Sequence, residues 1–299
     1  AGEEGRVAHL HAIPQALHRF ITDRPRDLHH VLALMLKAGV QQAVCELSVV
    51  GQQQQTLAVI VQTAHGVETF LAGHQIEHGE IQPRALAEKL LAWADSPRVR
   101  ENRFVGPSTL KALADIKSGL PLEQVHRSGT TVGAAMRVAP LAICFDWRED
   151  LIDQVVASCA VSHFTRNAIS GAMAMAFACR AALEAGAQPG AVALAAQEGA
   201  VVGREYGDWS WTPPIEKRIA HVISWVESEG RDEALILGRL YELIGVDLYP
   251  EQLVPCAIGL TLLAEGDPQR AIRFAANLGG DTDTLGAMAG ALCGGLRGV

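Results

Sequence analysis

"NLGGDTDTLGAMAGALCGGLRG", Asn277 to Gly298, sets two aspartates, two threonines and a glycine pair ahead of a run of small apolar residues. Gly279-Gly280 can take backbone angles that other residues resist. The run after it predicts a helix that opens near Thr282 to Leu285. Ala and Gly along such a helix let neighbouring helices approach closely, so the stretch points to a core of packed helices rather than of large rings. Its acidic residues carry two readings. Asp281 or Asp283 can cap the free amides of the helix start. Alternatively, Asp281, Asp283 and the Thr284 hydroxyl converge from the entry turn on a hard cation such as Mg²⁺, which prefers oxygen ligands. Two carboxylates so close repel each other unless a cation or a proton intervenes.

Outward from that stretch, apolar residues recur at three- and four-residue spacing in window after window, as in "EDLIDQVVASCAV", "AISGAMAMAFACRAALEA", "IEKRIAHVISWVES" and "EALILGRLYELIG". This is helix periodicity, and long alternating strands are not evident. Breakers mark helix ends and starts: Gly106-Pro107-Ser108, Gly119 with Pro121, Gly186 to Gly190, and Pro213-Pro214 before Ile215. The pattern predicts an all-α orthogonal bundle of about a dozen helices. No linker, charge block or low-complexity run divides the 299 residues, so one domain over 1–299 is expected.

Composition narrows the function. Apolar residues make up 49% and charged ones 19%, enough for a continuous core. Lys+Arg 25 against Asp+Glu 33 gives a net charge of −8 without a basic stripe, which argues against a nucleic-acid partner. The longest apolar windows are broken by Arg137 and Arg180, too short for a membrane span. Six scattered cysteines without CxxC spacing, and an opening without an apolar leader, lead to the expectation of a cytoplasmic protein.

Other clusters are weaker signals. His9, His11, His18, His29 and His30 enrich the amino end, but no Cys, Asp or Glu stands at zinc-ligand spacing beside them. Tyr206, Trp209 and Trp211 could stack a purine or cover a cleft, or simply pack on the surface. Cys159 and His163 are spaced to meet on one helix face as nucleophile and base, though core packing is the commoner fate of a cysteine in "VVASCAVS". Glu205 and Asp208 form an acidic pair near the aromatic loop.

The opening stretch resembles the carboxyl-terminal signature of the ADP-ribosylglycohydrolase family, N-x-GGD-[ST]-DT followed by a small-residue helix. Upstream, "GTTVGAAMRVAPLAI" (Gly129 to Ile143) resembles the family segment G-x-x-N-G-A-A-M-R-x-A-P, with Val132 in place of Asn. "VSHFTRNAISGAMAMA" carries Ser162-His163 where the family has Thr-His. The resemblance runs in order from near residue 84 to the carboxyl end. It implies a compact all-α fold and hydrolysis of a glycosidic bond to ADP-ribose or a related ribosyl group. The partner is then an ADP-ribose-like small molecule or an ADP-ribosylated protein. It also implies a pair of Mg²⁺ ions held on one side by Asp281, Asp283 and Thr284. Gly129, Thr130, Thr131, Gly133 and Met136 would lie along the substrate with His163 lining the site, while no acid or base is assigned.

The family's amino-terminal acidic motifs have no counterpart here. In the natural register, the metal-binding aspartates fall on Gly51 and Gln52, and no carboxylate lies between Glu46 and Glu68. Residues 1–56 diverge from the family, and a neutral glutamine oxygen offsets no cation charge. Two functions stay open: a Mg²⁺-dependent glycohydrolase, or a catalytically impaired member that binds an ADP-ribose-like ligand or serves a structural role.

Overall fold

The computed structural model describes residues 80–297, apart from 98, 100–104, 126, 146–148 and 229–231. Gly51, Gln52 and the five amino-terminal histidines lie outside the described residues. Eleven α-helices are delimited among the described residues, in order: α1 Pro83–Ala94, α2 Pro107–Lys117, α3 Ala139–Cys144, α4 Glu149–Cys159, α5 Arg166–Ala182, α6 Pro189–Gly203, α7 Ile215–Ser228, α8 Glu233–Arg239, α9 Pro250–Leu263, α10 Pro268–Leu278 and α11 Thr282–Arg297. No strand is formed among the described residues; two isolated bridges, Ser128 with His163 and Thr165 with Asp208, are the only β-type pairings there. The all-α expectation holds. None of the described helices is long and apolar enough to cross a membrane.

Local chemistry sets the boundaries. Pro83, Pro107, Pro189, Pro250 and Pro268 occupy first positions, where a missing N–H costs nothing. Thr165, Asp232 and Asp267 cap α5, α8 and α10 by accepting from the amides of Ala168, Leu235 and Arg270. "EALILGRLYELIG" departs from its periodicity: α8 stops at Arg239, and Leu240–Ile244 continues as a π-helical turn that ends at Gly245 with φ 90. Only glycine takes that angle without strain.

The core is built on α5, whose residues from Asn167 to Cys179 are all buried. Helix α6 packs on it more extensively than any other pair of described helices, and two glycines explain how. A Cβ on Gly199 would fall 2.5 Å from the Met173 carbonyl oxygen, and one on Gly203 would fall 2.7 Å from Ser170 Cα. Backbone meets backbone there, and Ser170 Oγ donates across to the Ala200 carbonyl at 2.8 Å. Gly171 on the same helix gives room to Pro250, which seats the start of α9. Helix α10 buries Ala271, Phe274, Ala275 and Leu278, one face at helical spacing, and pairs with α11 across the Gly279-Gly280 turn.

Candidate active site

Helix α11 begins at Thr282, inside the expected window, and the turn before it depends on two glycines. Gly279 has φ 87 and Gly280 φ 69. At Gly280 the chain passes so near the Val246 carbonyl that a Cβ would stand 2.0 Å from its oxygen. The Asp281 amide then donates to that oxygen at 2.9 Å, and the Asp281 carbonyl accepts the first helical bond from Leu285 at 3.1 Å.

Asp281 serves as the cap: its carboxylate accepts from the backbone amide and the hydroxyl of Thr284, which is itself buried. Capping does not exhaust it. Its Oδ2 is buried without a hydrogen-bond partner, and the Asp283 carboxyl lies beside it. Burial first, and then the neighbouring Asp283 carboxyl, push the Asp281 carboxyl up to about 7, against the weaker pull of the Thr284 donors. A buried oxygen without a partner, on a carboxyl that has a second carboxyl beside it, is an arrangement that a hard cation relieves, so the residues fit Mg²⁺. They supply part of a site; among the described residues no three His, Cys, Asp or Glu side chains converge to hold a metal.

The segment after the π-turn brings the second motif to the first. While Val246 holds the Asp281 amide, the Leu248 carbonyl accepts the Val132 amide at 2.8 Å. Residues 246–248 therefore tie the Gly129–Met136 loop to the aspartate turn, and α11 also packs on the 3₁₀ turn Ala135–Arg137. Val132, where the family has Asn, is buried in the core, so an apolar side chain suits its surroundings.

Gly129 and Gly133 enclose His163. A Cβ on Gly129 would lie 2.8 Å from His163 Cδ2, and one on Gly133 would lie 2.9 Å from both Cε1 and Nε2. His163 is only 1% exposed. Its Nδ1 meets Ser162 Oγ at 2.7 Å and its Nε2 meets Thr131 Oγ1 at 2.9 Å. The residue expected to line the site is thus enclosed, and it touches the loop's polar edge through Thr131. Burial, and then the Arg137 guanidinium, push its imidazole down to about 3. Thr130, Thr131 and Met136 are half-buried, with Met136 packed against the core.

The Cys159–His163 pair does not form a nucleophile and base. Both ring nitrogens are engaged elsewhere, and burial pushes the Cys159 thiol up to about 11, far from a thiolate at neutral pH. Core packing is its role. In the aromatic loop, Tyr206 packs on the core while Trp209 and Trp211 stand exposed, 5.8 Å apart and edge to face. The two tryptophans, with Arg166, line a cleft of ≈ 230 Å³. Glu205 and Asp208 are exposed, and the Asp208 backbone pairs with Phe164 and Arg166.

Two buried polar contacts could not be read from the sequence. Arg137 is 3% exposed and donates to the Ser158 carbonyl at 2.9 Å, while its Nε finds no partner. Asn167 Nδ2 donates to Glu251 Oε2 at 2.6 Å, joining the starts of α5 and α9. Arg137 is the arginine of the G-A-A-M-R segment and Asn167 follows Ser162-His163 in the second resembling stretch, but the partners of both, Ser158 and Glu251, are set by the fold.

Comparison with known proteins places the chain in a family. The family model described as ADP-ribosylglycohydrolase matches residues 29–299. The Uncharacterized protein YegU of Escherichia coli (strain K12) is 33% identical over 223 residues, 74% of this chain and 66% of that protein. An uncharacterized protein of Archaeoglobus fulgidus is 26% identical over 229 residues, 75% of this chain and 67% of its own length. The chain thus spans about two thirds of the length of these relatives. A solved structure titled "ADP-ribosylglycohydrolase-related protein complex" superposes with a TM-score of 0.55 at 24% identity, over 79% of this chain and 70% of the other, which supports the fold. On its family match and on the two motifs that the fold brings together, the chain belongs to the ADP-ribosylglycohydrolase family.

Proposed function

We propose that this protein hydrolyses a glycosidic bond to ADP-ribose or a related ribosyl group, on a small molecule or an ADP-ribosylated protein, with Mg²⁺ held by Asp281, Asp283 and Thr284. The observation that carries this reading is the buried, partnerless Oδ2 of Asp281 beside Asp283. When bound, the cation would anchor ribose hydroxyls and lower the pKa of a coordinated water. The chain's own contributions are positional. The Thr284 amide and hydroxyl fix the Asp281 carboxylate, and the Val246–Leu248 segment ties the Asp281 backbone to that of the glycine loop. Free backbone amides on the loop offer donors to phosphate or ribose oxygens.

The test is release of ADP-ribose from an ADP-ribosylated protein in Mg²⁺, followed by chromatography, for the wild type and for Asp281→Asn. Turnover lost in the variant and in EDTA supports the reading; an unchanged rate in Asp281→Asn ends it. A second reading, a binding protein without catalysis, draws on the sequence, where Gly51 and Gln52 stand in place of the family's metal-binding aspartates. Calorimetry that finds ADP-ribose binding independent of Mg²⁺, without hydrolysis, favours that second reading.

A further inference from the structure

His163 has one partner on each ring nitrogen, and the chain of contacts decides which nitrogen carries the proton. Guanidinium groups only donate, and Arg137 Nη1 and Nη2 reach Ser162 Oγ at 3.4 and 3.5 Å. The Ser162 hydroxyl hydrogen then has one acceptor among the described residues, His163 Nδ1 at 2.7 Å. A proton on Nδ1 would leave that hydrogen unpaired in a fully buried place, at a full desolvation cost. Nδ1 is therefore the acceptor, and Nε2–H donates to Thr131 Oγ1 at 2.9 Å. With its oxygen accepting from the imidazole, the Thr131 hydroxyl has its own hydrogen to give. No described residue accepts it, and none accepts the backbone amides of Thr130, Thr131 or Gly133.

We propose that the relay from Arg137 through Ser162 and His163 to Thr131 holds the Thr131 hydroxyl as an outward donor for an anionic oxygen of the ligand. The unpaired amides of Thr130 and Gly133 stand beside it in the same loop. His163 is a positioning residue that sets the direction of the donor and does not itself touch the ligand. Gly129 and Gly133 are part of the device, because a Cβ at either one would collide with the imidazole. Naming the anion as a phosphate of an ADP-ribose-like ligand rests on the function proposed above; the direction of the relay does not.

Two measurements test it. In protein labelled with ¹⁵N-histidine, long-range ¹⁵N–¹H spectra should show His163, identified by its loss in His163→Gln, protonated on Nε2 and bare on Nδ1. A proton on Nδ1 overturns the proposal. In calorimetry with ADP-ribose, Thr131→Val should lose affinity about ten- to a hundredfold, the range expected for one donor to a charged oxygen, and Thr131→Ser should recover most of it. Equal affinity in Thr131→Val and wild type overturns the donor role. Inorganic pyrophosphate as a second probe separates the two ideas. If the wild type binds pyrophosphate but not ADP-ribose, and Thr131→Val loses the former, the donor stands and the assigned function falls.

Discussion

The carbonyl oxygen of Val246 occupies the space that a side chain on Gly280 would need, and the same oxygen accepts the Asp281 amide. One close approach therefore fixes both the path of the turn and the position of its first carboxylate.

Neighbouring glycines make this testable. Gly279 has φ 87 with open space around its missing Cβ, whereas Gly280 has φ 69 and a backbone oxygen 2.0 Å away. Gly279→Ala should cost about 1–3 kcal/mol, because φ 87 with ψ -171 is a region that only glycine enters freely. Gly280→Ala adds a clash with backbone and should cost about 2–4 kcal/mol. Urea denaturation of both variants checks the difference; equal costs would mean that the Val246 contact is not what the turn depends on.

The electrostatics of Asp281 set a pH dependence of the opposite sign to that of most carboxylates. Its folded value of about 7 lies above the unfolded 3.8, so the native state holds the extra proton between those limits. Stability from this group is full below the unfolded value and is lost as pH rises through about 7. In EDTA, Asp281→Asn should remove that loss, leaving the variant at least as stable as wild type at pH 8. Mg²⁺ should raise the wild-type melting temperature more at pH 8 than at pH 6 and leave Asp281→Asn unmoved. Thermal melts at the two pH values, with and without MgCl₂, decide it.

His163 works the other way. Its imidazole is held near 3 against an unfolded value of 6.5, so the unfolded chain binds the extra proton between those limits. Stability from this group is full above 6.5 and falls on acidification toward about 3, with a slope approaching 1.4 kcal/mol per pH unit. His163→Gln should be less stable than wild type at pH 8, yet lose less on going to pH 5. Denaturant unfolding at both pH values measures the two slopes, and parallel losses would show that His163 does not titrate with folding.

Much of this was legible in the text of the chain. Helix periodicity and the Pro and Gly breakers located most described helices, because those signals are local. The cap-or-ligand question at Asp281 was well posed, and Asp281 turns out to cap while keeping one oxygen free. What could not be read was contact across distance. Nothing in "GVDL" announces that Val246 and Leu248 join two motifs more than a hundred residues apart. The enclosure of His163 likewise depends on Gly129 and Gly133, whose small size reads in sequence as loop flexibility.

The helix glycines give the last prediction, in which one substitution changes stability in opposite directions. Glycine inside a helix is about 1 kcal/mol worse than alanine on backbone grounds, so Gly→Ala should stabilise wherever the new methyl finds room. Gly238 in α8 has nothing within 4 Å of a built Cβ, and Gly238→Ala should gain up to about 1 kcal/mol. Gly203 in α6 has the same helical setting, but its Cβ would meet Ser170 Cα at 2.7 Å and the Ile169 carbonyl oxygen at 2.8 Å. Helix α6 would have to move off α5, opening the tightest interface of the core, and Gly203→Ala should lose about 1–3 kcal/mol despite its better propensity. Melting temperatures of the two variants should move to opposite sides of wild type. A stabilised Gly203→Ala would mean that α5 and α6 are not held backbone to backbone, and that the small residues of these helices serve some purpose other than close approach.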